Sequence, residues 1–366
     1  MISAANTRPH FVVGNQGAVR DGRVVARDLG GPQSGVDLAQ NEAGNWIAAG
    51  NQGAVCNDQL VARDLGYAGS GVGVDMNSAG RWIAAGQLKT FVDGEQVAHD
   101  LGAPQSAVDA EINEAGSWIA AGNQGAVKDG VVVARNLGAP NAGVAVDLNE
   151  AGNWIAAGNQ GALKDGQVVA RNLGGPDSGV DAEINAVGSW IAAGNQGALK
   201  DGVVVARNLG TPNSRIDVDL NESGSWIAAG NRGVVKNFEV AATNLGADAS
   251  DMAVDMAENG GWIAAGNQGV VVNGQLVARD IGDYNSGIDV QITESGHWIA
   301  AGNRAVVVDG NLYPSSVGYG QGQVAVSITE DGHWLASGHQ SSLLDGVQVA
   351  HDLGRPGSGA GALLAG

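Results

Sequence analysis

Positive charge is scarce in this 366-residue chain, where 19 Lys and Arg stand against 38 Asp and Glu for a formal net charge of -19. Neutralising phosphates takes clustered cations, and here they are dispersed, so neither nucleic acid nor an anionic membrane is an expected partner. Cysteine is nearly absent too. The lone Cys56 has no partner for an intramolecular disulfide, and Arg20, Val92 and Lys128 hold its place in other repeats, so no thiol function is expected. No apolar run reaches 18 residues, and Met1 to Arg8 shows no basic segment, apolar core or cleavage site. A soluble protein follows, without membrane insertion or a recognisable export signal. Aromatic residues number only nine Trp, four Tyr and three Phe, whereas Gly reaches 60 and 44% of the chain is apolar, much of it Ala and Val. Such a chain buries area by packing thin, flat elements closely together.

What is present is a repeat. Trp46, Trp82, Trp118, Trp154, Trp190, Trp226, Trp262, Trp298 and Trp334 lie 36 residues apart, and His10 holds the equivalent place in the first copy. An arginine series keeps the same phase: Arg27, Arg63, Arg135, Arg171, Arg207 and Arg279, with His99 and His351 in register. No helical period occurs, and each unit reads as four short strands. In one unit these are Val144 to Leu148, Trp154 to Ala157, Ala162 to Lys164 and Val168 to Arg171, joined by turns that include the hairpin signal Asp165-Gly166. All connections are of hairpin length, which predicts an antiparallel meander. A lone meander leaves two apolar faces uncovered, so the units must stack on one another.

Ser327-Ile-Thr-Glu-Asp-Gly-His-Trp-Leu-Ala-Ser-Gly338 resembles the first two strands of a WD40 blade, over about half of each unit. The Trp-Asp ending of the third strand is absent, and the repeat is short for that family. The resemblance implies a β-propeller and carries no binding role with it. The expected fold is all-β: residues 1–366 as one closed propeller domain of about ten four-stranded, 36-residue blades, with an open β-solenoid as the alternative. Adjacent blades in a ring of ten turn by only about 36°, which suits Ala and Gly between nearly parallel sheets. Nine good first strands precede ten sets of the other three, so one blade must borrow a strand, from Ile2 to Ala5 or from Ala360 to Ala365.

The first strands carry acids at alternate places: Asp37; Asp109 and Glu111; Asp147; Asp181 and Glu183; Asp217 and Asp219; Asp255; Asp289. With the turn that follows they resemble FG-GAP calcium loops, Asp219, Asn221 and Gly224 matching three places. Ser223 and Ile227 stand where two more oxygen ligands belong, so no metal is expected. Backbone satisfaction between blades is the expected role of these acids. The six histidines have no zinc spacing, and no nucleophile elbow or phosphate loop occurs, so neither a cofactor nor an enzymatic activity is expected.

Two features remain as candidate sites. In the WD40-like topology that the resemblance implies, the Gly-Asn-Gln-Gly turns, with Asn123, Gln124, Asn159, Gln160, Asn195 and Gln196, open on one face with the Gly-x-Pro-x-Ser-Gly loops and near the repeated Arg. They offer planar donors and acceptors suited to hydroxylated ligands. Departures from the consensus form the second feature: Tyr284, Arg304, Tyr313 and Tyr319 in one sector, and Tyr67 elsewhere. The expected function is a monomeric, multivalent binding module for carbohydrate. A protein-interaction scaffold, or a structural repeat with no dedicated ligand, are the alternatives.

Overall fold

The computed structural model describes residues 8–248, 250–314, 317–319, 322–355 and 357–364. Among them every regular element is a strand, and forty strands form ten four-stranded antiparallel sheets. Nine sheets are simple meanders. In one, Val144–Leu148 pairs with Trp154–Gly158, then Gly161–Lys164, then Gln167–Arg171. The first strand of each sheet lies beside the first strand of the next, all the way round to Ala360–Leu364 beside Val36–Gln40. The sheets are therefore blades, and the molecule is a closed ten-bladed β-propeller. The solenoid alternative falls because hydrogen-bonded pairing stays inside each unit and is antiparallel throughout.

Closure uses the carboxyl-side strand. Ala360–Leu364 pairs antiparallel with His10–Gly14, placing Leu364 opposite His10 and Ala360 opposite Gly14. Ile2 to Ala5 and Ala365 lie outside the described residues, as does Pro356 among the loop prolines.

The turns follow from their residues. Asp165 (φ 48°) and Gly166 (φ 79°) form the left-handed pair that a two-residue hairpin requires. The same Asp165 carboxylate accepts the Trp154 N–H at 2.8 Å, clamping the start of the second strand from eleven residues away. Asn57 and Asp129 do this for Trp46 and Trp118. Between the third and outermost strands the register shifts at Ala162/Leu163, a bulge that turns the outermost strand.

The core lies between blades rather than within them. Ile119, Ala121 and Leu137 of one blade pack on Val144, Val146, Trp154 and Ala156 of the next. All nine tryptophans are buried, so each indole fills an inter-blade gap. Close approach also explains the recurrent Gly ending the second strand: a Cβ on Gly158 would sit 2.3 Å from the Leu137 carbonyl oxygen of the preceding blade.

Candidate functional site

The two amides of each Gly-Asn-Gln-Gly turn point to different places. Asn123, Asn159 and Asn195 are buried. Asn159 Oδ1 accepts the Ala139 N–H at 2.9 Å and its Nδ2 donates to the Gly175 carbonyl at 2.6 Å, which ties together the loops of successive blades. Asn123 and Asn195 make the same two bonds. Their amides are thus committed to backbone. Gln124, Gln160 and Gln196 are exposed, and their side chains make no hydrogen bond among the described residues.

Each of these glutamines sits next to an exposed arginine. Gly125 pairs with Arg135, Gly161 with Arg171 and Gly197 with Arg207, which brings the end of the outermost strand beside the turn. A backbone clasp fixes the arrangement: the N–H of Asn136, Asn172 or Asn208, each in the left-handed region, donates to the glutamine carbonyl at 2.8 to 2.9 Å. Gln16 with Arg27, Gln52 with Arg63 and Gln268 with Arg279 repeat the cluster, with Asp28, Asp64 and Asp280 as the third residue. Among the described residues none of these six guanidinium groups is paired with a carboxylate. Beside Arg135 a groove of about 460 Å³ runs between blades, bounded by Gln124, His99, Asp100 and Val132.

The aromatic sector divides. Tyr284 and Tyr319 lie on neighbouring loops and are 59% and 48% exposed. Arg304 forms an ion pair with Asp283, next to Tyr284. Tyr319 packs edge-on against His339, with ring centroids 4.8 Å apart. Tyr313 is elsewhere, on the outermost strand Asn311–Tyr313, its ring 4.9 Å from Trp334 and part of an inter-blade core. Tyr67 is exposed on a loop three blades beyond Tyr319 around the closed ring.

The acids of the innermost strands form a ladder around the channel. Asp109 Oδ1 accepts the N–H of Ala110, and its Oδ2 accepts that of Val146 in the next blade, both at 2.9 Å. Asp37, Asp147, Asp181, Asp255 and Asp289 repeat this bridge. Asp75, which the spacing argument left out, bridges Met76 and Ile112 in the same way. Burial pushes the Asp109 and Asp289 carboxyls up to about 7 and Asp37 up to about 6, against the pull of their N–H donors. Asp219 also rises to about 7, through burial and then through the adjacent Asp255 carboxylate. Burial, and then neighbouring acids, also raise the Glu111 and Glu183 carboxyls well above the usual carboxylate range. The calcium-like loop is occupied by its own protein: Asp219 bridges Leu220 and Met256, while Asn221 Oδ1 accepts from Ser223 and from the Ser225 N–H.

Sequence reasoning missed a third group at the loop-side mouth of the channel. At one repeat position, one or two residues before each innermost strand, stand Gly35, Gly71, Ala107, Gly143, Gly179, Gly287 or Gly359 in seven blades, and Arg215, Asp251 and Gln323 in the other three. Arg215 Nη1 lies 3.3 Å from Asp251 Oδ2. It also reaches the Gln323 amide, and with that amide turned to put its oxygen toward the guanidinium the oxygen accepts from Nη2 at 3.1 Å. Comparing the ten units column by column would have found this departure.

No protein-family model matches the chain, and no curated protein matches it. Among solved structures it is similar to a streptogramin B lyase, with 11% identity, 91% of this chain and 96% of that chain covered, and a TM-score of 0.42. It is also similar to a virginiamycin B lyase from Staphylococcus aureus (11% identity, 55% and 79% covered, TM-score 0.35). A third is the SapL1 lectin in complex with alpha methyl fucoside (11%, 78% and 95%, TM-score 0.33). At these values neither activity nor residue roles pass from those proteins to this chain.

Proposed function

We propose that the ring is a non-enzymatic, multivalent binding module whose repeated rim clusters take carbohydrate. The observation that carries this reading is the sixfold recurrence of an exposed Gln beside an Arg without a carboxylate partner, each pair held by the same backbone clasp. A guanidinium, an amide and an Asn or Asp side chain at fixed spacing present donors and acceptors to adjacent hydroxyls. Six copies add avidity where one contact is weak. Catalysis needs one distinguished place, whereas these clusters are near copies of one another.

A glycan array probed with the whole chain tests this. The expected result is a set of related glycans bound by the native protein. Replacing Arg135 alone removes about one sixth of the capacity with little change in the rest, and replacing all six arginines by Ala abolishes binding. An array without hits removes the carbohydrate reading. The exposed Tyr284 and Tyr319 favour a second reading, a scaffold for a protein partner. Changing both to Ala leaves glycan binding intact if the rim is the site, and abolishes partner capture if the scaffold is.

A further inference from the structure

The loop-side end of the channel holds a cavity of about 570 Å³ that departs from the tenfold pattern. Its outer lining comes from one position of the Gly-x-Pro-x-Ser-Gly loops, the third residue of a turn. At Gly31-Pro32-Gln33-Ser34 the Ser34 N–H donates to the Gly31 carbonyl and Gln33 has φ 61°, the left-handed third place of a type II turn. Glycine holds this place without strain at Gly69 and Gly357. Gln105 (φ 67°), Asn141 (φ 69°), Asn213 (φ 68°) and Asn285 (φ 60°) hold it with amide side chains instead, and Asp177 (φ 63°) with a carboxylate that accepts from the Asn141 amide. A long side chain such as Gln in this backbone region carries a conformational penalty that glycine avoids. Asn suits this place, so the turn accounts for the asparagines; it does not account for the glutamines Gln33 and Gln105.

Deeper in the cavity stand Arg215, Asp251 and Gln323, at the place that is Gly or Ala in the other blades. They form one connected patch: a planar guanidinium, a carboxylate that neutralises it, and an amide. Burial raises the Asp251 carboxyl, and the Arg215 charge opposes that rise. Asn285 lines this space, and its Oδ1 is buried with no donor among the described residues. Two residues further along the innermost strands begin the carboxylates of Asp37, Asp109, Asp181, Asp217 and Asp289. An anion entering past Arg215 meets that acidic ring, and a cation meets Arg215 first. Few apolar groups line the space, so a hydrophobic ligand gains little there.

We infer that this mouth is a single-copy binding site for a small, uncharged, polyhydroxylated molecule, distinct from the six rim clusters. The amides supply paired donors and acceptors to its hydroxyls, and the Arg215–Asp251 pair a charge-neutral platform. The site does not depend on the rim reading, because it uses none of the same residues.

Saturation-transfer NMR and calorimetry with myo-inositol, D-mannitol and maltose as probes test the inference, with glucuronate as the charged comparison. The expected result is one molecule bound per chain for at least one neutral probe. Arg215→Ala and Asn285→Ala should each weaken that binding at least tenfold, while a chain with all six rim arginines changed to Ala binds it unaltered. Both axial residues lie at the cavity surface, and an unchanged melting curve for each variant confirms that the ring is intact. Arg215→Gln, which retains a planar donor, should recover part of the affinity. Absence of binding by all three neutral probes, indifference to Arg215→Ala, or tighter binding of glucuronate than of any neutral probe overturns the assignment. Loss of neutral-probe binding in the rim variant would assign the molecule to the rim instead and overturn the axial site alone.

Discussion

Adjacent amides of one turn do unlike work. Asn159 satisfies an N–H and a carbonyl from two different loops; its removal leaves the Ala139 N–H without a partner inside the protein, while the Gly175 carbonyl keeps the Ser178 hydroxyl. Asn159→Ala should therefore destabilise by about 1–3 kcal/mol, the cost of one buried group left unpaired. Gln160→Ala, at an exposed side chain, should change stability by less than about 0.5 kcal/mol. Urea unfolding of the two variants, followed by tryptophan fluorescence, measures the difference. Equal effects would contradict the division between a structural and a surface amide. The sequence showed this pair as one feature because Asn and Gln share a chemistry. Only the neighbouring loop, 20 residues away, decides which of them turns inward. Arg215 escaped notice for a related reason: in its own unit it is one more dispersed cation, and it acquires meaning only as an occupant of the glycine column.

Strands were more legible than sites. Period-two alternation, Asp-Gly turns and a fixed 36-residue spacing identify four strands per unit, because each of those signals is local. The choice between two closures was not local, since both candidate segments are short and apolar. The structure settles it through the pairing of Ala360–Leu364 with His10–Gly14. Deleting residues 360–366 should leave His10–Gly14 as an unpaired edge and uncover the cluster of Val12, Leu335, Leu344 and Leu353. The expected outcome is a lower melting temperature, with loss of amide-exchange protection concentrated at His10–Gly14 and in the Trp334 blade. Protection lost evenly around the ring, or not at all, would argue against that strand as the clasp. The innermost strands show the other use of polarity inside an apolar fold. Each carboxylate bridges two blades where a Val or Leu would leave N–H groups unpaired.

For the molecule as a whole, those carboxylates set the response to pH. Several have folded-state values raised to about 6 or 7 from an ordinary 3.8, so between roughly pH 4 and 7 the folded ring binds more protons than the unfolded chain. Stability is then greatest toward the acidic end of that window and is lost as pH rises through the folded values. Melting temperatures taken from pH 5 to pH 8 should fall steadily, and a maximum near pH 8 would contradict the burial of the ladder. Below the window the sign reverses, because Asp129 and Asp201 are held low by their lysine neighbours Lys128 and Lys200 and lose those contacts on protonation.

Ring closure at ten blades underlies the rest, since it places the rim clusters on one face and the Arg215 cavity on the axis. Projection images of single particles viewed down the axis test it directly. The structure predicts a round particle with an open centre and ten radial blades; an elongated particle, or a ring with another number of blades, would contradict it.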